Sequence, residues 1–327
     1  MSRLSYYRRV FLAYLGRGKS QLSFWHETPA VNPSAFADDP AQYYMLFREK
    51  ADYQALLDAR GVPMLDYRGA IGPQYNPIAI AQYGLGGYNQ YRQQKDRDYW
   101  NRACTAADWL LENLEQNPSG LWVWQHRFDW EYFRKLKSPW YSGLAQGQGV
   151  SLLARMYGET RGEKYLQALQ KAFQPLVTPI DRGGTLWVDP EGYWWIEEYL
   201  TEPPTHIVNG FMWALWGVYD ALLLEKTGIR IEGARVLWEK SLKTLEDKLG
   251  RYDCGFWSLY DLAPVALRNV ASPFYHKLHL IQLEVMHRLT GIAAFDRTRQ
   301  RWAEYQASGL CRRRALWAKI MFKMLYY

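Results

Sequence analysis

Apolar positions recur three to four residues apart through most of the chain after residue 77, and the segments carrying that spacing come in pairs. Segments 78–93 and 97–114 flank a polar turn, 142–157 and 163–176 flank a second, 206–225 and 232–249 a third, and 275–289 and 294–306 a fourth. Leu152, Leu153 and Met156 form one such stripe, and Phe211, Leu215, Val218 and Leu222 another. Gly158, Gly228 and Gly291 stand just past the first member of three pairs, where each suits a left-handed C-terminal cap. The pattern predicts a mainly α chain of four helix–turn–helix hairpins. Hairpins that need neighbours to bury their faces close into a solenoid or an (α/α) barrel or toroid.

The stretches between hairpins read differently. GLWVWQH at 120–126, GTLWVDPEGYWWIEEY at 184–199 and YDCGFWSLYD at 252–261 are aromatic and β-branched, with period-two character. Asp189-Pro190-Glu191-Gly192 is a predicted hairpin turn. These ribbons are expected to emerge together at one end of the helical ring, the usual place for a site on a rigid scaffold. The organisation expected is a lead-in over 1–41, a barrel over 42–310, and a basic amphipathic helix over 311–327.

Aromatic residues make up 16% of the 327 positions, including 16 Trp and 25 Tyr. Flat aromatic faces with polar handles suit sugar rings, although an aromatic core is the plain alternative. The net charge of +7 favours acidic partners. A charged fraction of 22% with 48% hydrophobic residues excludes wholesale disorder. Cys104, Cys254 and Cys311 are scattered and form no CxxC, so neither a zinc ribbon nor a disulfide framework is indicated. No apolar run reaches membrane-span length, and the basic start lacks a cleavage site, so a cytoplasmic location without a leader is expected. No nucleic-acid recognition motif is present.

Six ordered motifs carry more specific information. They are Tyr75-Asn76-Pro77-Ile78 with Ala81-Gln82-Tyr83-Gly84-Leu85; Ser138-Pro139-Trp140-Tyr141-Ser142-Gly143-Leu144-Ala145-Gln146-Gly147-Gln148-Gly149; Glu197-Glu198-Tyr199; Val208-Asn209-Gly210-Phe211; Leu259-Tyr260-Asp261-Leu262; and a run beginning Tyr275-His276-Lys277-Leu278-His279. Together they resemble the D-glucuronyl C5-epimerase family over roughly residues 60–310. The resemblance implies an (α/α) barrel, which agrees with the hairpins read above. Animal members carry β-rich domains ahead of this region, and this chain is expected to lack them.

The resemblance also implies a reaction, inversion at C5 of glucuronic acid within a glycan to give iduronic acid, with no cofactor. A C5 proton beside a carboxylate is a poor acid, so such an enzyme needs a base on one face, an acid on the other and neutralisation of the developing enediolate. Carried over by motif, the catalytic pair is Glu198 and Tyr275, supported by Tyr199 and Tyr260. A phenol acting as base would need nearby positive charge, for which His276, His279 and Arg268 are candidates. Gln146, Gln148, Asn209, Trp140 and Tyr75 join them as candidate substrate-binding residues. Animal members place an arginine after Tyr-Asp-Leu, thought to meet the substrate carboxylate. Here the residue is Ala263, with Arg268 as the expected replacement.

Each signal has a plainer counterpart. Glu197 and Glu198 could be a solvated pair at a strand end. Strict alternation would put Glu198 and Tyr199 on opposite faces, so both serve only if the chain leaves the extended form there. Tyr275, His279 and Gln282 share a helix face that could be polar packing, and His276 with His279 lacks a third ligand for a metal. Gln146 and Gln148 could simply pack at a helix start, Asn209 could bond local backbone, and Tyr260 could be core. The stretch CRRRALWAKIMFKMLYY at 311–327 is either a helix docked on the barrel or a surface helix on an anionic membrane, with the basic N-terminus assisting. On the second reading, removing 311–327 weakens membrane association more than catalysis. Three functions compete: an epimerase on a heparosan-like or other uronate glycan, polymeric or lipid-linked; a uronate lyase using the same base; and a non-catalytic glycan-binding protein. Oligomeric state is not readable from the sequence.

Overall fold

The computed structural model describes residues 24–36, 42–67 and 69–326. The basic N-terminus and most of the 1–41 lead-in lie outside the described residues. Among the described residues there are ten α-helices: α1 (Arg48–Ala51), α2 (Pro77–Gln94), α3 (Arg97–Glu112), α4 (Gly143–Thr160), α5 (Glu163–Val177), α6 (Val208–Leu223), α7 (Ala234–Lys248), α8 (Pro273–Thr290), α9 (Ala293–Ala307) and α10 (Gly309–Tyr326). The pairs α2/α3, α4/α5, α6/α7 and α8/α9 are the four expected hairpins.

Local chemistry fixes where the first helix of a hairpin starts. Asn76 caps α2, accepting from Ile78 N at 2.9 Å, with Pro77 in the first turn. Ser142 Oγ caps α4 at 3.0 Å, and Ser272 Oγ caps α8, again with proline in the first turn. At the other ends, Gly228 and Gly291 take the left-handed conformation as expected. Gly158 does not. Helix α4 runs on through it to Thr160, and Arg161 takes the left-handed turn at φ 56°, donating its N–H to Tyr157 O at 2.8 Å. That hydrogen bond closes the last turn whether or not the residue is glycine.

The first helices of the pairs form the inner ring. Helix α2 packs on α4, α4 on α6, and α6 on α8, while α3, α5, α7 and α9 each cover their own partner from outside. Inner helices α2, α4 and α6 are buried almost all round, with 143–157 of α4 buried without interruption. The α4–α6 crossing is close because both sides are glycine. A Cβ on Gly217 would fall 2.2 Å from Gly147 O, and one on Gly147 would fall 2.5 Å from Ala214 Cα. An enclosed ion pair spans the same helices, Arg155 to Asp220 at 2.6 and 3.1 Å, and Tyr44 OH donates to Asp220 at 2.5 Å to bind the segment just before α1 to it. Both Asp220 oxygens and both terminal nitrogens of Arg155 are bonded, which offsets much of the cost of burying the charges, while Arg155 Nε has no partner.

Four two-stranded ribbons join the helices: β1 (Met64–Asp66) with β2 (Pro73–Tyr75), β3 (Glu115–Gln116) with β4 (Trp122–Val123), β5 (Trp130–Glu131) with β6 (Lys135–Leu136), and β7 (Leu186–Val188) with β8 (Trp194–Ile196), all antiparallel. The β7–β8 turn is the one read from the sequence. Asp189 Oδ1 accepts from Glu191 N and Tyr193 N, each at 2.9 Å, and Trp187 pairs with Trp195. Segment 252–261 is instead a loop pinned by single bridges, Asp253 to Ser258 and Leu259 to Val270.

Candidate active site

A cavity of about 390 Å³ opens where the inner helices begin. Each inner helix lines it from its first turns: Ile78 and Gln82 of α2, Leu144 of α4, Asn209 and Trp213 of α6, Tyr275 and Leu278 of α8. Helix starts carry partial positive charge, so four of them around one cavity favour an anion. The walls between them are the ribbon and loop residues Tyr67, Phe128, Tyr132, Trp140, Tyr199 and Tyr260. Segments 184–199 and 252–261 and the start of the Tyr275 helix therefore converge on one cleft.

Glu198 reaches this cleft because strand β8 stops at Ile196. Glu197 turns inward to the scaffold: its N–H donates to Thr185 O at 2.9 Å, its carbonyl accepts from Gly143 N at 2.9 Å, and its carboxylate takes His206 N at 3.0 Å as well as His206 Nδ1. The chain bends at once, with Thr201 N donating to Tyr199 O. Extended alternation is broken, and Glu198 and Tyr199 both face the cavity. Of the two adjacent carboxylates, Glu197 is structural and Glu198 faces the cleft.

Glu198 is only 4% exposed. Burial pushes its carboxyl up to about 8; the Tyr199 hydroxyl bonded to it pulls the other way, while Glu197 and Asp261 raise it further. The carboxyl fits because α6 carries glycine beneath it. A Cβ on Gly210 would lie 2.2 Å from Glu198 Oε2. Asn209 sits alongside, with Nδ2 at 3.5 Å from the same oxygen.

Around this carboxyl runs a train of phenols. Tyr132 packs on Tyr199 with ring centroids 4.9 Å apart, and Tyr260 meets Tyr275 edge-on at 4.8 Å. Tyr275 lies in the first turn of α8, its N–H donating to Ser272 Oγ. Burial raises the Tyr199, Tyr260 and Tyr275 phenols well above the ordinary value, and the charge of Glu198 adds to this in each. All three are neutral proton donors at physiological pH. Asp261 holds the train in place, accepting from Tyr132 OH and Asn269 Nδ2, each at 2.5 Å. Trp140 stacks on His126 at 3.7 Å and presents its edge to Tyr199, so it is wall as well as candidate contact.

Several expected contacts lie elsewhere. His276 and His279 both turn to Ser258 Oγ, at 2.8 and 2.9 Å, and His276 Nε2 donates to Trp302 O at 3.0 Å. Burial lowers His276 to about 4 and takes His279 well below its usual range, so both are neutral and supply no charge to Tyr275. They rivet the 252–261 loop to α8. Arg268 is exposed and does not line the cavity. Gln146 is spent on backbone, accepting from Trp124 N at 3.0 Å and donating to Ala172 O at 2.8 Å. Gln148 is one layer back, accepting at 3.0 Å from Gln82, which does line the cavity. Tyr75 points away and donates to Asp58 at 2.8 Å. Its neighbour Asn76, the extended cap residue that follows β2, faces inward and donates to Tyr67 OH at 2.7 Å, since successive side chains of extended backbone point to opposite sides.

Tyr67, Tyr132 and Asn269 carry no signal in the sequence, Asn76 and Gly210 stand in the motifs without a site role, and the cations at the cavity are not the expected ones. The lysines that line the cavity are Lys50, Lys319 and Lys323. Lys50 lies over the Phe24 ring at 4.3 Å and donates to Phe24 O at 2.6 Å. Lys319 and Lys323 come from α10. That helix is docked, with Ala315, Leu316 and Phe322 buried, so truncating 311–327 would remove part of the cavity wall as well as any surface function.

Comparison with known proteins agrees with the motifs. The family model described as D-glucuronyl C5-epimerase C-terminus matches residues 116–304. The D-glucuronyl C5-epimerase of Caenorhabditis elegans is 34% identical over 230 residues, which are 66% of this chain and 36% of the worm protein. The chain thus spans about a third of that relative. An uncharacterized protein of Methanocaldococcus jannaschii is 26% identical over 250 residues, 72% of this chain and 78% of its own. Among solved structures, cellobiose 2-epimerase from Spirochaeta thermophila aligns over 97% of this chain and 73% of its own with TM-score 0.49 and 11% identity. A family 76 glycoside hydrolase from Bacteroides thetaiotaomicron aligns over 88% and 82%, with TM-score 0.45 and 12% identity. Because the family model spans more than half of the residues, including those that place Glu198, Tyr260 and Tyr275 around one cavity, the chain belongs to the D-glucuronyl C5-epimerase family.

Proposed function

We propose that the protein inverts C5 of glucuronic acid units in a heparosan-like glycan. The observation that carries this reading is a carboxyl poised near neutrality, Glu198, sharing one cavity with the neutral phenol of Tyr275. A general base works best with a pKa near the working pH. Ionised Glu198 takes the C5 proton from one face, and the C–H electron pair moves into the carboxylate as an enediolate. Tyr275 gives its phenolic proton to C5 from the other face, leaving phenolate and protonated Glu198. Tyr199, bonded to Glu198, and Tyr260, bonded to Tyr275, are the groups through which protons return.

The test is incubation with heparosan in deuterated water, followed by NMR at C5. Deuterium at C5 with appearance of iduronate supports the reading. A product absorbing in the ultraviolet as an unsaturated uronate means the same proton is lost but the C4 substituent leaves, making the protein a lyase. Heparosan that binds but never exchanges leaves a glycan-binding protein.

Gly210→Ala supplies a check on geometry. The added methyl meets the Glu198 carboxyl head-on, so either α6 or Glu198 must shift. The variant is expected to lose about 1–3 kcal/mol of stability and most of its exchange activity. Urea melts and C5 exchange measure the two, and unchanged exchange would mean that the Glu198 position is not critical.

The outward face of α10 is apolar, with Trp317 66% and Met324 69% exposed and Met321 and Leu325 beside them. Arg312, Arg313 and Arg314 precede this face. We propose peripheral contact with an anionic membrane through it, each basic side chain near the surface contributing about 1 kcal/mol. Among the described residues no helix is long and apolar enough to cross a membrane. The variant to compare is Trp317→Ser with Met324→Ser, which spares the cavity lysines. Wild type is expected to sediment with phosphatidylserine vesicles at low salt and the variant to remain in solution; equal behaviour of the two overturns the contact.

A further inference from the structure

We propose that Lys319 and Lys323 receive the carboxylate of the uronate being processed, so that the helix following the four hairpins selects acidic over neutral sugars. The inference rests on the C5-epimerase reading for what occupies the cavity, and on the cavity itself for where the charge lies.

The charged residues that line this space are three carboxyls, Glu27, Glu131 and Glu198, and three lysines, Lys50, Lys319 and Lys323, with five phenols among them. Glu198 and Asp261 lie within or behind the wall, and Glu27 and Glu131 line it. A uronate carboxylate desolvated among them needs a cation, and its need grows as negative charge spreads onto it when the C5 proton leaves. The position after Tyr260-Asp261-Leu262 offers none, since Ala263 only closes the turn on Asp261 Oδ1 at 3.1 Å. Arg268 is exposed outside the cavity, and His276 and His279 are neutral behind it. Lys50 is held within an aromatic nest against the Phe24 carbonyl.

The two α10 lysines are placed differently. They stand four residues apart, one turn, on the face of α10 that meets the barrel, and both line the cavity with Ile320 between them. Lys319 Nζ donates to Asn269 Oδ1 at 2.8 Å and to Val270 O at 2.9 Å. An ammonium has three donors, so these contacts orient it and leave one for a ligand. Asn269 in turn donates to Asp261, which holds Tyr132 against Tyr199 and beside Tyr260. The ammonium is thereby wired to the phenol train. Burial holds both lysines low, Lys319 to about 7 with help from Lys323 and against Asp261, and Lys323 to about 8. An unscreened carboxylate between them is the partner that would favour their charged forms. This helix also lies beyond the segment matched by the family model, which ends at residue 304.

A plainer role, clamping α10 to the 259–270 loop, would affect stability alone. The test measures binding of heparosan oligosaccharide and of its carboxyl-reduced form to the full chain, together with C5 exchange and thermal unfolding, for wild type, Lys319→Met, Lys323→Met and Lys319→Arg. Wild type is expected to prefer the acidic form. Each methionine variant is expected to lose at least about tenfold of that preference with little change toward the reduced form, and Lys319→Arg to recover part of it. Should Lys319→Met not fold, Lys323→Met and Lys319→Arg still decide the matter. No acid preference in wild type, or a preference intact in the folded variants, overturns the proposal. Acid preference that depends on the lysines but comes without C5 exchange leaves it standing and overturns the epimerase reading instead.

Discussion

Glu198→Gln is expected to abolish deuterium exchange at C5 of glucuronate, by about 10³-fold or more, in a protein that folds as well as wild type. Glutamine keeps the shape that Gly210 accommodates and can still bond Tyr199, but it cannot take a proton. The loss is therefore chemical rather than structural, and it appears in kcat with substrate affinity largely retained. A folded Glu198→Gln protein exchanging at wild-type rate would remove Glu198 from the mechanism and move the search to Asp261.

The same residue sets a pH dependence in two opposite senses. Glu198 must be ionised to accept the proton, so its own titration makes exchange from glucuronate rise with pH toward about 8 in the free enzyme. Loss of charge on Lys319 and Lys323, at about 7 and 8, bends the profile down if they receive the substrate carboxylate. Stability should move the other way. The folded state holds this proton more tightly than the unfolded chain, whose carboxyl titrates near 4.5. Between those values the native state binds more protons, so this group's contribution to stability, complete below 4.5, declines as pH rises toward 8. Glu198→Gln has no such proton. The difference in urea stability, variant minus wild type, should thus grow between pH 5 and pH 8.5. A difference that stays flat with pH would mean that Glu198 titrates normally.

The helical frame was legible because its cause is local. Stripes such as Phe211, Leu215, Val218 and Leu222, capped by residues such as Asn76 and Ser142, need no tertiary information, and the predicted hairpins fall within a few residues of those observed. The β7–β8 turn was readable for the same reason, since Asp189 and Gly192 make it from their own side chain and backbone. Motif order located the segments that line the cavity, but periodicity could not tell which polar residues face it. A buried glutamine bonded to backbone, such as Gln146, has the same signature as one that holds a sugar hydroxyl. Tyr75 and Asn76 show how one step along extended backbone exchanges the outside for the inside. The place of the α10 lysines was not legible because a basic amphipathic helix announces two faces without saying which partner each meets. Here Phe322 and Lys319 turn inward, and Trp317 and Met324 outward.

Tyr275→Phe is expected to separate proton removal from inversion. Only the phenolic oxygen is lost; the ring keeps its edge contact with Tyr260, and the lost hydrogen bond costs roughly 1 kcal/mol. With Glu198 intact, the C5 proton of glucuronate can still leave and return on its own face. Deuterium should therefore enter glucuronate with retention, while iduronate formation falls by about 10²-fold or more, because nothing on the opposite face can deliver a proton. Starting from iduronate, whose C5 proton faces Tyr275, the variant should show no exchange. Glu198→Gln should give the complementary defect, losing exchange from glucuronate. Two substrates and two variants thus form a square that identifies the residue serving each face. The mirror-image pattern would exchange the roles of Glu198 and Tyr275. Inversion at wild-type rate by Tyr275→Phe would reduce Tyr275 to a packing residue and leave Tyr260, its nearest phenol, as the acid to test next.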